Sequence, residues 1–142
     1  MRPENATPRI SLHNNIAFAR ITWARTRPQS SKSRRAIATR ALEAADRAHA
    51  VAEALGAAPR FLAWSKANRA HALVLLQRFD EAAATYEEAL PLAQANLRVE
   101  VTALAGYADL LIQRGQLERA RELLQVAYDK APTDPLDSTM DL

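Results

Sequence analysis

At 142 residues the chain is the size of one domain, and with 19 Lys/Arg against 16 Asp/Glu it is mildly basic. It has no cysteine, which excludes a disulfide framework, a thiolate metal site and a thiol nucleophile. Hydrophobic residues make up 49% but aromatic residues only 6%, which favours helices packed through small side chains over a sheet rich in Val, Ile, Tyr and Phe.

In chain order, residues 1–10 are expected to form an N-terminal extension, and Met1 to Asn15 holds no apolar run of the kind a signal peptide needs. A first helix is predicted over about 10–24, where Leu12, Ile16, Ala19 and Trp23 fall at helical spacing and form the expected core face. "RTRPQSSKSRR", with its proline, serines and clustered charges, reads as a loop. A second helix follows over about 36–55 and stops at Gly56. Pro59 opens a third over about 60–76, and "QRF" turns the chain into a fourth over about 80–96. A fifth covers about 99–113 and ends at Gly115; the sixth starts near Gln116 and stops before Pro132. Residues 133–142 are expected to be a flexible acidic tail. The sum is six helices in three antiparallel pairs. No stretch reaches the length of a membrane span, so a soluble, cytoplasmic protein is the expectation.

Charge divides the chain unevenly. Residues 1–60 carry eleven Lys/Arg and four Asp/Glu, about +7, while residues 61–142 carry eight and twelve, about −4. Arg20, Arg25, Arg27, Lys32, Arg34, Arg35 and Arg40 supply most of the positive half.

The alanine-rich stretch "FDEAAATYEEALPLA" holds Ala82, Ala83, Ala84 and Ala89, more than helix propensity requires. Ala70 and Ala82 lie twelve residues apart, as do Ala108 and Ala120; Tyr86 and Ala89 follow the first pair as Leu124 and Ala127 follow the second. The offsets recur 38 residues later, and self-similarity at about that period marks a helical repeat array. Each alanine is expected where a neighbouring helix crosses.

These residues resemble the tetratricopeptide repeat family. Leu104, Tyr107, Ala108, Leu111, Ala120, Leu124 and Pro132 match its pattern, and Ala70, Leu73, Ala82, Tyr86 and Ala89 match it in the preceding unit. Lys66 and Arg69 stand where the family has large apolar side chains. Either that helix is rotated, or their stems lie on the core with the charges in water. In the first unit "NIA" at residues 15–17 parallels "NRA" at 68–70, and Ala41, Ala45 and Ala48 repeat the second-helix spacing, but the loop between is about a dozen residues too long. Spacings of 38–41 residues between second helices are similar to the longer repeat variant of bacterial signalling and regulatory proteins. The resemblance implies an all-α, right-handed α-solenoid of three helix-turn-helix repeats over 11–132, with units at about 11–58, 59–97 and 98–132.

The residues themselves offer little catalytic chemistry. His49 shares a helix face with Asp46 and Glu53, which reads as an exposed polar face in preference to a metal site. No nucleotide-binding or hydrolase motif is present, and with Gly56, Gly106 and Gly115 the only glycines a phosphate-cradling loop is hard to build. The expectation is no enzyme, no metal and no cofactor.

The resemblance implies instead a protein-interaction scaffold whose first helices line a concave groove for a peptide or partner segment. By matched position the groove would present Trp64, Ala67, Asn68, His71 and Val74, then Thr102, Ala105, Asp109, Ile112 and Gln113, with Asn15 and Phe18 from the first unit. Asn68 stands where many members place an asparagine that bonds the ligand backbone. Trp64 either lines the groove or plugs a helix junction, and His71 either lines it or is a solvated histidine; both Asn68 and His71 are expected to be exposed. A sensory segment of a larger bacterial signalling protein is the alternative. Nucleic-acid binding through the basic half is the least favoured, since Phe18 and Trp23 fall at helical spacing and read as core, and no membrane partner is expected. At the C-terminal end Leu123, Val126 and Tyr128 lie off the stripe Leu117–Ala120–Leu124–Ala127. That leaves apolar surface for a homodimer or an adjoining domain.

Overall fold

The computed structural model describes residues 6–94 and 96–131. They form six helices, α1 (Ala6–Arg25), α2 (Lys32–Ala54), α3 (Pro59–Leu75), α4 (Phe79–Ala93), α5 (Leu97–Gln113) and α6 (Leu117–Lys130), and the described residues include no strand. The expected 133–142 tail lies outside the described residues. Among the described residues, no helix is long and apolar enough to cross a membrane.

Local chemistry fixes the helix ends. The Ser31 hydroxyl accepts from the Arg34 amide at 3.0 Å and starts α2, and the Asn96 side chain accepts from the Val99 amide at 3.1 Å and starts α5. Pro59 occupies the first turn of α3, where its missing N–H costs nothing. Within the second and third pairs the same turn recurs. Gln77 (φ 61°) and Gly115 (φ 76°) both adopt the left-handed conformation. Beyond them Arg78 N donates to Leu73 O at 2.9 Å and Gln116 N to Leu111 O at 2.8 Å, the bond that closes a Schellman end.

Each helix packs on its successor, and α1 also meets α3 as α3 meets α5, whereas the backbones of α2 and α4 do not approach closely and neither do those of α4 and α6. The first helices of the three pairs therefore form one contiguous layer. Ala70, Ala82, Ala108, Ala120 and Ala127 are buried in a single core with Tyr86, Leu104, Tyr107 and Leu111, and Ala41, Ala45, Ala48 and Ala89 are fully buried as well. Close packing of this kind needs side chains no larger than a methyl at the crossing points. Ala84 is the exception: it is exposed, and Ala83 is only partly covered.

The first pair departs from expectation in two ways. Its extra length is mostly helix, since α1 continues to Arg25 and α2 already begins at Lys32. The Ser31 cap makes that early start possible. The buried face of α1 is also not the predicted one. Ile10, Asn14, Ala17, Ile21 and Ala24 are buried, while Leu12 (57% exposed) and Trp23 (51%) face outward with Ala19. Ala17 meets Ala44 and Ala45 of α2 in a seam of small residues, and a tryptophan would hold the helices apart there.

Lys66 and Arg69 settle as long stems with charges at the rim. The Lys66 ammonium reaches Glu88 of α4 at 2.7 Å, and the Arg69 guanidinium reaches Asp46 of α2 at 2.7 Å. In α6 the buried stripe is Ala120–Leu123–Ala127, so Leu123 is interior while Leu117 and Leu124 are exposed with Val126 and Tyr128. Among the described residues only α5 lies against α6, and none of them covers the side chains directed along the stack.

The recurring turn gives a test. A side chain in the left-handed conformation costs about 1 kcal/mol, which glycine avoids. Gln77→Gly should raise the unfolding free energy by roughly 0.5–1 kcal/mol and Gly115→Ala should lower it by a similar amount, as read by urea denaturation.

Candidate binding groove

The layer of first helices encloses a groove of about 670 Å3. Nine residues singled out from the sequence line it: Asn15 and Phe18 from α1, Trp64, Ala67, Asn68 and His71 from α3, and Thr102, Ala105 and Asp109 from α5. A smaller chamber of about 240 Å3 shares Arg25, His71, Gly106 and Asp109 with the groove and adds Val74 and Gln113. Ile112 belongs elsewhere. It lines a face shared by α5 and α6 with Leu117 and Tyr128, which no other described helix covers.

Three of the four α3 residues are buried: Ala67 is 3% exposed, Asn68 4% and His71 9%, the last two contrary to the expectation of exposure. Asn68 Nδ2 donates to Asn14 Oδ1 at 3.0 Å, Asn14 Nδ2 donates to Ser65 Oγ at 3.2 Å, and the Ser65 hydroxyl donates to Phe61 O at 2.9 Å. This chain of polar contacts ties α1 to α3 beneath the groove floor. No donor among the described residues reaches Asn68 Oδ1. Asn14 and Ser65 were not legible as a pair, since nothing in either local pattern says that they face each other.

His71 is held by aromatic packing. Its ring meets Tyr86 edge-on at 5.4 Å, and Tyr86 stacks on Tyr107 at 5.4 Å. The His71 pKa is lowered to about 3, first by burial and then by the nearby Arg25 charge, so the imidazole is neutral and offers one donor and one acceptor. Burial pushes the Tyr86 hydroxyl pKa up. The Tyr107 hydroxyl, which donates to Glu87 at 2.7 Å, has its pKa raised to about 12, by burial first and then by that bond. Gly106 explains why the rings fit. A Cβ there would lie 2.6 Å from both His71 Nε2 and Tyr86 Oη. Trp64 has both expected roles: it packs on Ala63, Ala93 and Val99 at a helix junction and also lines the groove.

The groove is thus mixed in character. Phe18, Trp64 and Val99 supply apolar wall, Arg25 and Arg98 supply positive charge, and Asp109 supplies one carboxylate. The sequence marked Arg25 only as part of a basic cluster. Three other cluster members make local contacts: Arg20 donates to Arg40 O, Arg34 donates to Arg27 O, and Arg27 lies over Trp23. Among the described residues no three His, Asp or Glu converge as metal ligands, and Asp46, near His49 in sequence, is taken by Arg69. Compared with known proteins, the chain matches no family model, no curated protein and no solved structure.

Two measurements probe this arrangement. Gly106→Ala should gain helix propensity of about 1 kcal/mol, yet overpacking against His71 and Tyr86 should outweigh it, for a net loss of about 1–2 kcal/mol. Equilibrium denaturation reads the sign. The second concerns pH. Unfolded His71 takes up a proton near pH 6.5 while the folded residue does so only near 3. The unfolded state therefore binds more protons between those values, and stability is full above 6.5 and falls as pH drops toward 3. Urea midpoints measured from pH 7 to 4 should decline, and His71→Gln should flatten that decline.

Proposed function

We propose that the chain is a tetratricopeptide-type array, a right-handed α-solenoid of three helix pairs, that binds an extended peptide or partner segment across its layer of first helices. One observation carries this reading. Nine residues assigned to a ligand face by repeat register alone line one groove, contributed by all three first helices. Further support comes from the packing order, in which the backbones of first helices approach one another closely and those of second helices do not, and from the left-handed turn that recurs at Gln77 and Gly115.

The ligand chemistry follows from the lining. Phe18 and Trp64 suit an apolar or aromatic side chain, and Asn68 Oδ1 with neutral His71 suits the polar groups of an extended backbone. Arg25 and Asp109 at the shared end select for a segment with charge of both signs nearby. The nucleic-acid reading is less favoured, since only Arg25 and Arg98 of the basic residues line the groove, beside the Asp109 carboxylate.

The test is selection of binders from a displayed random-peptide library, followed by affinity measurement on two variants. Ala105 and Phe18 are exposed groove positions, so Ala105→Trp combined with Phe18→Ala should leave melting nearly unchanged while blocking the cleft. Selected peptides should lose at least about tenfold in affinity, about 1.4 kcal/mol, for this variant. They should bind Leu12→Glu, altered outside the groove, as they bind the wild type. Equal affinity for all three proteins would place the binding surface elsewhere.

A further inference from the structure

Beside the groove lies the chamber of about 240 Å3, set among the C-terminal ends of α1, α3 and α5. The two are joined through Arg25, His71, Gly106 and Asp109, which line both. A cavity of about 150 Å3 holds one benzene, so the chamber has room for the head of a single side chain and not for a stretch of backbone.

Its buried side is made of polar groups. His71 and Tyr86 are both buried and both line it, and no group among the described residues bonds the Tyr86 hydroxyl or either His71 nitrogen. Gly106 keeps this side open. The point that a Cβ would occupy there lies 2.6 Å from both His71 Nε2 and Tyr86 Oη, so any other residue fills the gap where these two polar atoms come together. Burial keeps His71 uncharged near neutral pH, so it adds a donor and an acceptor and no charge.

Charge decides what such a chamber takes. Two guanidiniums, Arg25 and Arg34, line it against one carboxylate, Asp109. Asp109 is exposed and already accepts from Gln113 Nε2 at 3.1 Å. Arg34 uses Nη1 on Arg27 O at 3.2 Å, and its Nε is buried with no partner. Arg25 stands close enough for its charge to act on both rings: it lowers the His71 pKa further after burial and opposes the rise that burial causes at Tyr86. Helix C-termini favour cations, but at α3 and α5 the turn amides take up the carbonyls of Leu73, Val74, Leu111 and Ile112. Positive charge and hydrogen-bond donors are left in excess.

On the reading that the groove binds a segment, we propose that the chamber seats the carboxylate of an acidic side chain of that segment, with Arg25 and the Tyr86 hydroxyl as its donors. Such a pair combines charge with directed hydrogen bonds. A chain-terminal carboxylate is joined directly to its backbone and would have to bring that backbone inside. A glutamate or aspartate reaches in while its backbone stays in the groove.

Two experiments test this. The first uses sodium acetate alone as the probe. In nitrogen–proton spectra of the labelled full chain, acetate should move the Gly106 amide and Arg25 Nε–H signals beyond any change caused by equal sodium chloride. Acetamide should leave both in place, and Arg25→Gln should abolish the Gly106 shift. No acetate-specific shift at Gly106 overturns the proposal. The second uses the peptides selected from the displayed library. They should share a Glu or Asp at one position, and its change to Gln or Asn should cost about tenfold or more in affinity on the wild type and nothing further on Arg25→Gln. Amidating the peptide C-terminus should change nothing. Peptides with no shared acid, losses from the two changes that simply multiply, or dependence on a free C-terminus each overturn the proposal. If affinity is still lost in the Ala105→Trp/Phe18→Ala variant, the groove reading survives that failure; a failure of the groove reading shows instead as binders indifferent to that variant. Arg25 is exposed, and circular dichroism checks that the helices of Arg25→Gln persist. Should they not, Tyr86→Phe, which removes only the hydroxyl, carries the same comparisons.

Discussion

The close approach of helices at alanine is the constraint on which the rest of this structure depends. Ala17 against Ala44 and Ala45, and Ala70 and Ala82 in one core with Ala108 and Ala120, let backbones pack without bulky side chains between them. A larger side chain at any of these points forces either displacement of a helix or an unfavourable rotamer, at a cost of typically 1–3 kcal/mol. The spacing of the pairs follows from those seams, and the groove follows from the spacing. Because the backbones of first helices approach their counterparts closely while those of second helices do not, one side of the array is a continuous lining built from three elements.

Polar groups beneath the lining give it definition. The Asn68–Asn14–Ser65 contacts hold α1 and α3 at one register, since any slip would leave buried amides unpaired, at about 1–3 kcal/mol each. Gly106 lets the His71 and Tyr86 rings come within contact of the α5 backbone, so the groove floor is aromatic, neutral and tightly packed. Arg25 and Asp109 then stand beside His71, which burial keeps uncharged near neutral pH, and Gln113, which donates to Asp109 at 3.1 Å. The proposed recognition would rest on shape and a few fixed polar contacts, for which a rigid floor serves better than a mobile one.

Much of this was legible in the sequence, and for physical reasons. Helical spacing and the stops at Gly56 and Gly115 mark the helices, and the 38-residue offset between alanines marks the pairs. What was not legible depended on contacts between distant segments. Two stripes on α1 share the same period, and the alanine seam of α2 together with the Asn14 contacts to α3 decides that Ala17 goes in and Trp23 stays out. Asn68 looks exposed by local pattern because its partner, Asn14, is far away in sequence. Ile112 has the spacing of a groove residue, yet the end of the array turns it outward. The start of α2 was hidden among charges that read as loop, although Ser31 followed by a long alanine-rich run is itself a capping signal.

The chain's two tryptophans make the central claim directly measurable. Trp64 lines the groove between first helices, and Trp23 faces away on the exposed stripe of α1. Each gives its own indole N–H resonance in a nitrogen–proton correlation spectrum. Titration with a peptide selected on the wild-type protein should move the Trp64 resonance, together with the Asn68 side-chain amide, and leave the Trp23 resonance in place. A peptide that binds and moves Trp23 while Trp64 stays fixed would contradict the account.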